Sequence, residues 1–329
     1  RVISGKRIHG TCAIPGGMNK TLSKAERDYL LEDIDQIIAW SLASVALIKQ
    51  VHCANLPYND EFATIRSNYL GLTKPDGALE LYHGGIRAKN AQGDSIIDHI
   101  DYCNYTDYIH EEVRSWTYMK FPYLLSIGKE NGWYRVGPLA RVNNCDYINT
   151  PLAEVARVDF KAHTNETMVH STLAFHWARL IETLHCAESI KMLLYDPDIM
   201  GQHLVAHGEK RYEGIGVIEA PRGTLFHHYQ VDENDIVTKA NLIVSTTSNN
   251  MAMNESVRQV AAEYLSGQEL TEPLLNNLEV AIRAYDPCLS CATHAMGKMP
   301  LQIELINAEG KLIDKLVKHS NGQFDRNKS

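Results

Sequence analysis

No run of 18 or more apolar residues occurs in the 329-residue chain, so no segment is long and apolar enough to span a membrane as a helix. The nearest candidate, 37–51, is broken by Ser41, Ser44, Lys49 and Gln50. Excess positive charge is also lacking. Forty acidic against 32 basic residues give a net charge of −8 and a pI near 6.0, unlike a general nucleic-acid binder. There is no Gly-x-Gly-x-x-Gly fingerprint for a dinucleotide, no internal repeat and no low-complexity segment. The seven cysteines are an odd number and scattered, which fits a reducing compartment better than a disulfide framework. What is present, 44% hydrophobic and 22% charged residues, is ordinary soluble composition with enough chain for a sizeable core.

Ser23-Lys24-Ala25-Glu26 has capping-box spacing. After it, Ile34, Ile37, Ile38, Leu42, Val45 and Ile48 keep a helical period, predicting one long helix. Residues 55–93 break into short segments with turns. A helix is expected over 108–125, ended or kinked by Pro122, and another follows the Thr150-Pro151 start signal. A second long helix is expected over 167–194. Residues 225–245 read as a hairpin turning at Asp232-Glu233-Asn234-Asp235, and helices are expected at 254–265 and 271–283. Strands flank the turn Asn307-Ala308-Glu309-Gly310. The expected class is mainly α (α+β), a long-helix core with small peripheral β-hairpins.

Only Cys288 and Cys291 stand two residues apart, within Asp286-Pro287-Cys288-Leu289-Ser290-Cys291-Ala292-Thr293-His294. Two thiolates at that spacing can hold one soft metal, with His294 as a further donor. A structural zinc site needs four ligands, and there is no second C-x-x-C. His203 and His207 form one H-x₃-H, far from compact finger spacing and more in keeping with structural histidines. The pair therefore reads as half of a metal site.

These residues closely resemble the C-terminal metal motif of nickel–iron hydrogenase large subunits. Other segments match in order: Gly5-Lys6-Arg7-Ile8-His9, Val136-Gly137-Pro138-Leu139-Ala140-Arg141, Glu219-Ala220-Pro221-Arg222-Gly223-Thr224-Leu225-Phe226-His227, and Val244-Ser245-Thr246-Thr247-Ser248-Asn249. Phe121-Pro122-Tyr123-Leu124 and His227-His228-Tyr229 resemble the cytoplasmic NAD-linked subgroup. The resemblance implies the multi-helical large-subunit fold and reversible oxidation of H₂ at a Ni–Fe centre with CN and CO ligands on iron. In it Cys288 is a terminal nickel ligand and Cys291 bridges nickel and iron. Arg222 lies above the metals as a catalytic group and Asp286 holds it. Thr246 donates to a cyanide, Pro221 sets the shape of the segment, and His294 coordinates magnesium. The histidines His9, His227 and His228 are weaker candidates, each more often a hydrogen-bonded core residue.

It further implies an iron–sulfur small subunit, flavin-containing diaphorase subunits that reach NAD, and no iron–sulfur cluster or NAD on this chain. Nickel chaperones and a maturation endopeptidase are implied too, the latter cutting between His294 and Ala295. Residues 1–294 would then be the catalytic domain and 295–329 a removable extension, whose flexibility would keep the cysteine segment open for nickel. The family's first motif, Arg-x-Cys-Gly-x-Cys, is missing, and Cys12, Cys53, Cys103, Cys145 and Cys186 do not form it. The expectation is an N-terminally shortened chain, inactive alone. Competing expectations are a non-metal scaffold related to the quinone module of respiratory complex I, a structural zinc protein, and a hydrogenase serving another electron carrier.

Overall fold

The computed structural model describes residues 1–6, 10–264, 270–293, 301–319 and 321–328. His9, His294 and Ala295 lie outside the described residues. A two-residue strand pair, β1 (Ala13–Ile14) and β2 (Gly17–Met18), precedes α1 (Lys24–Leu31). The capping box forms at the start of α1: Ser23 accepts from Glu26 N, and the Glu26 carboxylate accepts from Ser23 N. Next come α2 (Ile34–Cys53) and the single turn and a half of α3 (Leu56–Glu61). Strands β3 (Asn68–Thr73), β4 (Gly85–Lys89) and β5 (Ser95–Ile100) follow, then β6 (Ile109–Glu112), β7 (Phe121–Leu124) and β8 (Tyr134–Arg135).

Three helices then make the centre of the molecule: α4 (Pro138–Asn144), α5 (Pro151–Ala162) and α6 (Ala174–Tyr195). Strands β9 (Glu213–Ala220), β10 (Gly223–Val231) and β11 (Val237–Ile243) form a meander, followed by α7 (Ser245–Ser248) and α8 (Asn250–Tyr264). The chain continues through α9 (Glu272–Ala284) and α10 (Leu289–Thr293) into β12 (Leu301–Ile306), β13 (Leu312–Lys318) and β14 (Phe324–Lys328).

The largest core gathers α2, α4, α5 and α6 around Trp177, Phe175, Phe160, Leu139 and Ile181. A second core lies on the mixed sheet β5-β4-β3-β8, where β8 runs parallel to β3. The β additions are therefore not only peripheral. All six residues of β3 are buried, and the described residues are about 39% helix and 25% strand. A strand covered on both faces shows no alternation for a sequence reading to catch.

Two helix expectations are corrected. Residues 108–125 form the antiparallel pair β6–β7, with Pro122 opposite Glu111 in a two-stranded ribbon, whose free edges tolerate a missing N–H. The helix expected from 167 begins at Ala174. Before it, side chains bind the backbone groups a helix would use: Asn143 Oδ1 accepts from Val169 N, Tyr69 donates to Val169 O, and Arg135 donates to His170 O. Thr150 does precede α5, but its hydroxyl bonds His185 instead of the helix. The first amides of α5 donate to the Glu188 carboxylate of α6 at 3.0 and 2.9 Å. His203 and His207 also sit outside any helix, in a segment whose Leu204 and Ala206 bond residues 16–18.

The described tail is an antiparallel meander, β12-β13-β14, and not a loose extension. Leu316 packs with Leu270 and Leu275, and Lys318 pairs with Glu279 of α9 at 2.9 Å. No described helix is long and apolar enough to cross a membrane.

Candidate metal centre

The β9–β10 connection is a two-residue turn, Pro221-Arg222, closed by the pairing of Ala220 with Gly223. Its position is fixed from behind by Arg141 on α4, whose guanidinium donates to the carbonyls of Ala220 (2.9 Å) and Pro221 (3.1 Å). The remaining N–H groups of Arg141 meet Glu182 of α6 and Glu219 of β9, each at 2.6 Å or less. Burial alone would depress the guanidinium, but the two carboxylates outweigh it and hold Arg141 charged. Glu219 also accepts from Leu72 N and the Thr224 hydroxyl; burial nevertheless pushes it above the usual carboxylate range, against the pull of Arg141.

Two glycines let the backbones meet. At Gly137 φ is +94° and a Cβ would stand 2.8 Å from the Arg222 carbonyl oxygen; at Gly223 φ is +136° and a Cβ would strike the Val136 side chain.

The segment 245–249 locks onto the same place. Ser245 donates to Gly223 O at 2.7 Å, and Asn249 Oδ1 accepts from Val136 N at 2.9 Å. Thr246 therefore lies in the short helix α7, not in a strand, and is buried at 2% exposure. Its Oγ1 accepts from Cys288 N at 3.0 Å, which leaves its own proton to donate elsewhere.

The cysteine segment arrives from α9. Arg179 Nη2 donates to Ala284 O at 3.0 Å, and the Tyr285 hydroxyl meets Ser256 at 2.9 Å. Asp286 then takes a left-handed φ of +49°, which turns the chain toward the β9–β10 turn. Arg222 Nε donates to the Asp286 carbonyl at 2.5 Å and lies 3.3 Å from its carboxylate. Cys288 and Cys291 have Cα atoms 5.4 Å apart with their sulfurs joined. Arg222, Asp286, Cys288 and Thr246 thus form one continuous patch, with Pro221 at its edge. A cleft of about 440 Å³ opens beside it, lined by Asp286, Pro287, Leu289, Arg283 and Leu301.

Reduced, the pair offers two soft thiolates at one point beside a fixed guanidinium. That donor set fits two ligand positions of a nickel–iron site. Of the weaker histidines, His228 is bonded by Tyr105 (3.1 Å) and Glu213 (2.7 Å), and His227 by Tyr229 (3.0 Å). No motif or spacing pointed to His176 and Arg179, which stand 3.2 Å apart on α6 with Asp286 acting on both. Burial lowers both below their ordinary values, Asp286 opposing it in each case. Arg141 was visible only as a signature residue; its tether to the turn spans about 80 positions.

Residues 81–294 match the family model for nickel-dependent hydrogenases. The chain belongs to that family. The β subunit of the NAD-reducing hydrogenase HoxS of Cupriavidus necator is 44% identical over 324 residues, covering 95% of this chain and 66% of the relative. A subunit of an F420-non-reducing hydrogenase of Methanococcus voltae is 38% identical, covering 95% and 67%. Among solved structures, an NAD⁺-reducing [NiFe]-hydrogenase in the H₂-reduced state superposes with a TM-score of 0.85 at 51% identity, over 88% of this chain and 64% of that one. A [NiFeSe] hydrogenase of Desulfovibrio vulgaris Hildenborough, at 20% identity and TM-score 0.68, shares the fold. The large-subunit fold is that of the family, and the chain spans about two thirds of the length of these relatives.

Proposed function

We propose that this chain works as the catalytic large subunit of a nickel–iron hydrogenase, interconverting H₂ with two protons and two electrons and coupled to NAD through partner subunits. The observation that carries this reading is the convergence of Cys288, Cys291, Thr246 and the Arg222–Asp286 pair on one patch. A bound Ni–Fe centre with CN and CO on iron would supply the polarisation and cleavage of H₂. Cys288 and Cys291 would hold it, both deprotonated, so loading would weaken as pH falls. Arg222, oriented by Asp286, would place a fixed positive charge beside the reacting position, and the Thr246 hydroxyl would donate to a metal-bound anion. His294 would take a magnesium ion, and cleavage between His294 and Ala295 by a maturation endopeptidase, after nickel-chaperone loading, would remove 295–329.

Electrons would leave through a small iron–sulfur subunit, then a flavin-containing diaphorase, in a cytoplasmic complex. Exposed Trp40, Leu47 and Val51 on α2 support such a partner. NAD is favoured as the carrier because the NAD-linked relatives are the more similar of those described. The names of these relatives speak for a hydrogenase and against a non-metal scaffold. The test is metal analysis and H₂-driven NAD⁺ reduction by the assembled complex. Nickel and iron in equal amounts, with nickel lost in Cys288→Ser, are expected; zinc in their place would overturn the reading.

A further inference from the structure

A second group of ligand-type side chains lies where α2, α3 and the end of α5 meet. His52 is in the last turn of α2, Asp60 is on α3, and His163 follows the last turn of α5. His52 Nε2 is 3.0 Å and His163 Nε2 3.4 Å from the same oxygen, Asp60 Oδ1, and one ligand atom from each residue lies within 4.8 Å of the others. The two histidine side chains are 4% and 6% exposed, whereas Asp60 is 37% exposed.

The hydrogen-bond geometry leaves a place for a cation between these groups. His163 Nδ1 contacts the carbonyl oxygen of Phe160, which can only accept, so this nitrogen carries the hydrogen. Nε2 is then the ring atom left for a ligand, and this buried atom has no hydrogen-bond partner among the described residues. A cation placed between this nitrogen and the Asp60 oxygen would be held by both. A backbone carbonyl on the far nitrogen is also the usual support of a metal-bound imidazole. Two ligands of a tetrahedral zinc ion, each about 2.0–2.1 Å from it, lie roughly 3.3 Å apart, close to the two spacings from Asp60 Oδ1.

The surroundings suit a bound ion. Trp177 walls both rings, its centroid 5.6 Å from that of His52 and 5.2 Å from that of His163. Asn59 fixes the α2–α3 junction by donating to His52 O at 2.7 Å. Asp60 and His163 also line a cleft of about 390 Å³ with Thr64, Arg66 and Glu166, which gives an ion its way in.

We propose that His52, Asp60 and His163 bind one divalent transition-metal ion, zinc by ligand type, with its fourth position open to this cleft. Such an ion ties the ends of three helices together and involves no electron transfer. The inference does not rest on the hydrogenase reading, since none of its residues belongs to the cysteine patch.

The test uses the full chain carrying Cys288→Ser and Cys291→Ser, so that no paired thiolates compete. It is stripped with a chelator and titrated with zinc chloride by calorimetry, and with cobalt chloride by absorption. One equivalent of zinc and a cobalt spectrum of nitrogen and oxygen ligands, without thiolate charge-transfer bands, are expected. Asp60→Asn and His163→Gln should each weaken binding by at least about tenfold, since even outer partners of a metal-bound histidine cost that much. Far-UV circular dichroism checks folding; if His163→Gln fails to fold, the part-exposed Asp60→Asn decides alone. Absence of binding, or affinity unchanged in the folded variants, would show a plain His–Asp–His contact and overturn the proposal.

Discussion

Arg141 and Arg222 stand on either side of one turn and live in different conditions. Arg141 is buried, saturated by two carboxylates and two carbonyls, and binds nothing but its own protein. Arg222 is 43% exposed, leans on a single carboxylate that is itself 47% exposed, and has N–H groups to spare. A buried charge without full pairing is ruinous, so the scaffold arginine has to be complete. An arginine meant to receive something else has to stay incomplete. The contrast separates the residue that builds the site from the one that can act in it.

Breaking the scaffold should have the largest effect. Arg141→Met leaves Glu182 and Glu219 buried without a counter-charge, and urea unfolding should register a loss of about 3–5 kcal/mol. A loss below about 1 kcal/mol would remove the distinction. Arg222→Lys should show the reverse: H₂ oxidation by the assembled complex down about 100- to 1000-fold, with stability within about 0.5 kcal/mol of the parent.

Between these lies Gly137→Ala, which forces a side chain into φ +94° and against the Arg222 carbonyl. It should cost about 1–3 kcal/mol by thermal melting and lower activity by displacing the turn.

The smallest effect at neutral pH extends the comparison to a third arginine, Arg135, fully buried with bonds to Ser67, Tyr69 and the carbonyls of His170 and Ile65. Burial first, then Arg135 and Arg66, push His170 down to about 4 from its ordinary 6.5. Between these values the unfolded chain takes up a proton that the folded chain refuses. Stability should therefore rise with pH across that window and be lost as pH falls through it. His170→Asn should flatten the slope of the unfolding midpoint against pH.

Elements with their own period were legible from sequence. The long helix α2, the helices α8 and α9, the β10–β11 hairpin and the first strands of the tail all carry regular apolar spacing or a turn signal. Where local pattern and long-range bonding disagreed, the latter prevailed: Pro122 sits in a strand, and residues 169–170 are claimed by Asn143, Tyr69 and Arg135 before they can coil. In the site, Cys288 and Cys291 were visible from spacing alone. Arg222, Asp286 and Thr246 were visible only through resemblance, because single residues in turns carry no local signal. The tethering of the turn by Arg141 and the nearness of His176 and Arg179 to Asp286 depend on partners scores of residues away, and no local spacing encodes them.

The two carbonyls that Arg141 captures have a geometric corollary. A trans peptide is planar and carries its oxygen and its hydrogen on opposite edges. With the Pro221 oxygen drawn inward to the guanidinium, the amide hydrogen of Arg222 is obliged to face the other way. A scaffold bond thereby aims a main-chain donor outward alongside the Arg222 side chain, and this donor survives any substitution there except proline.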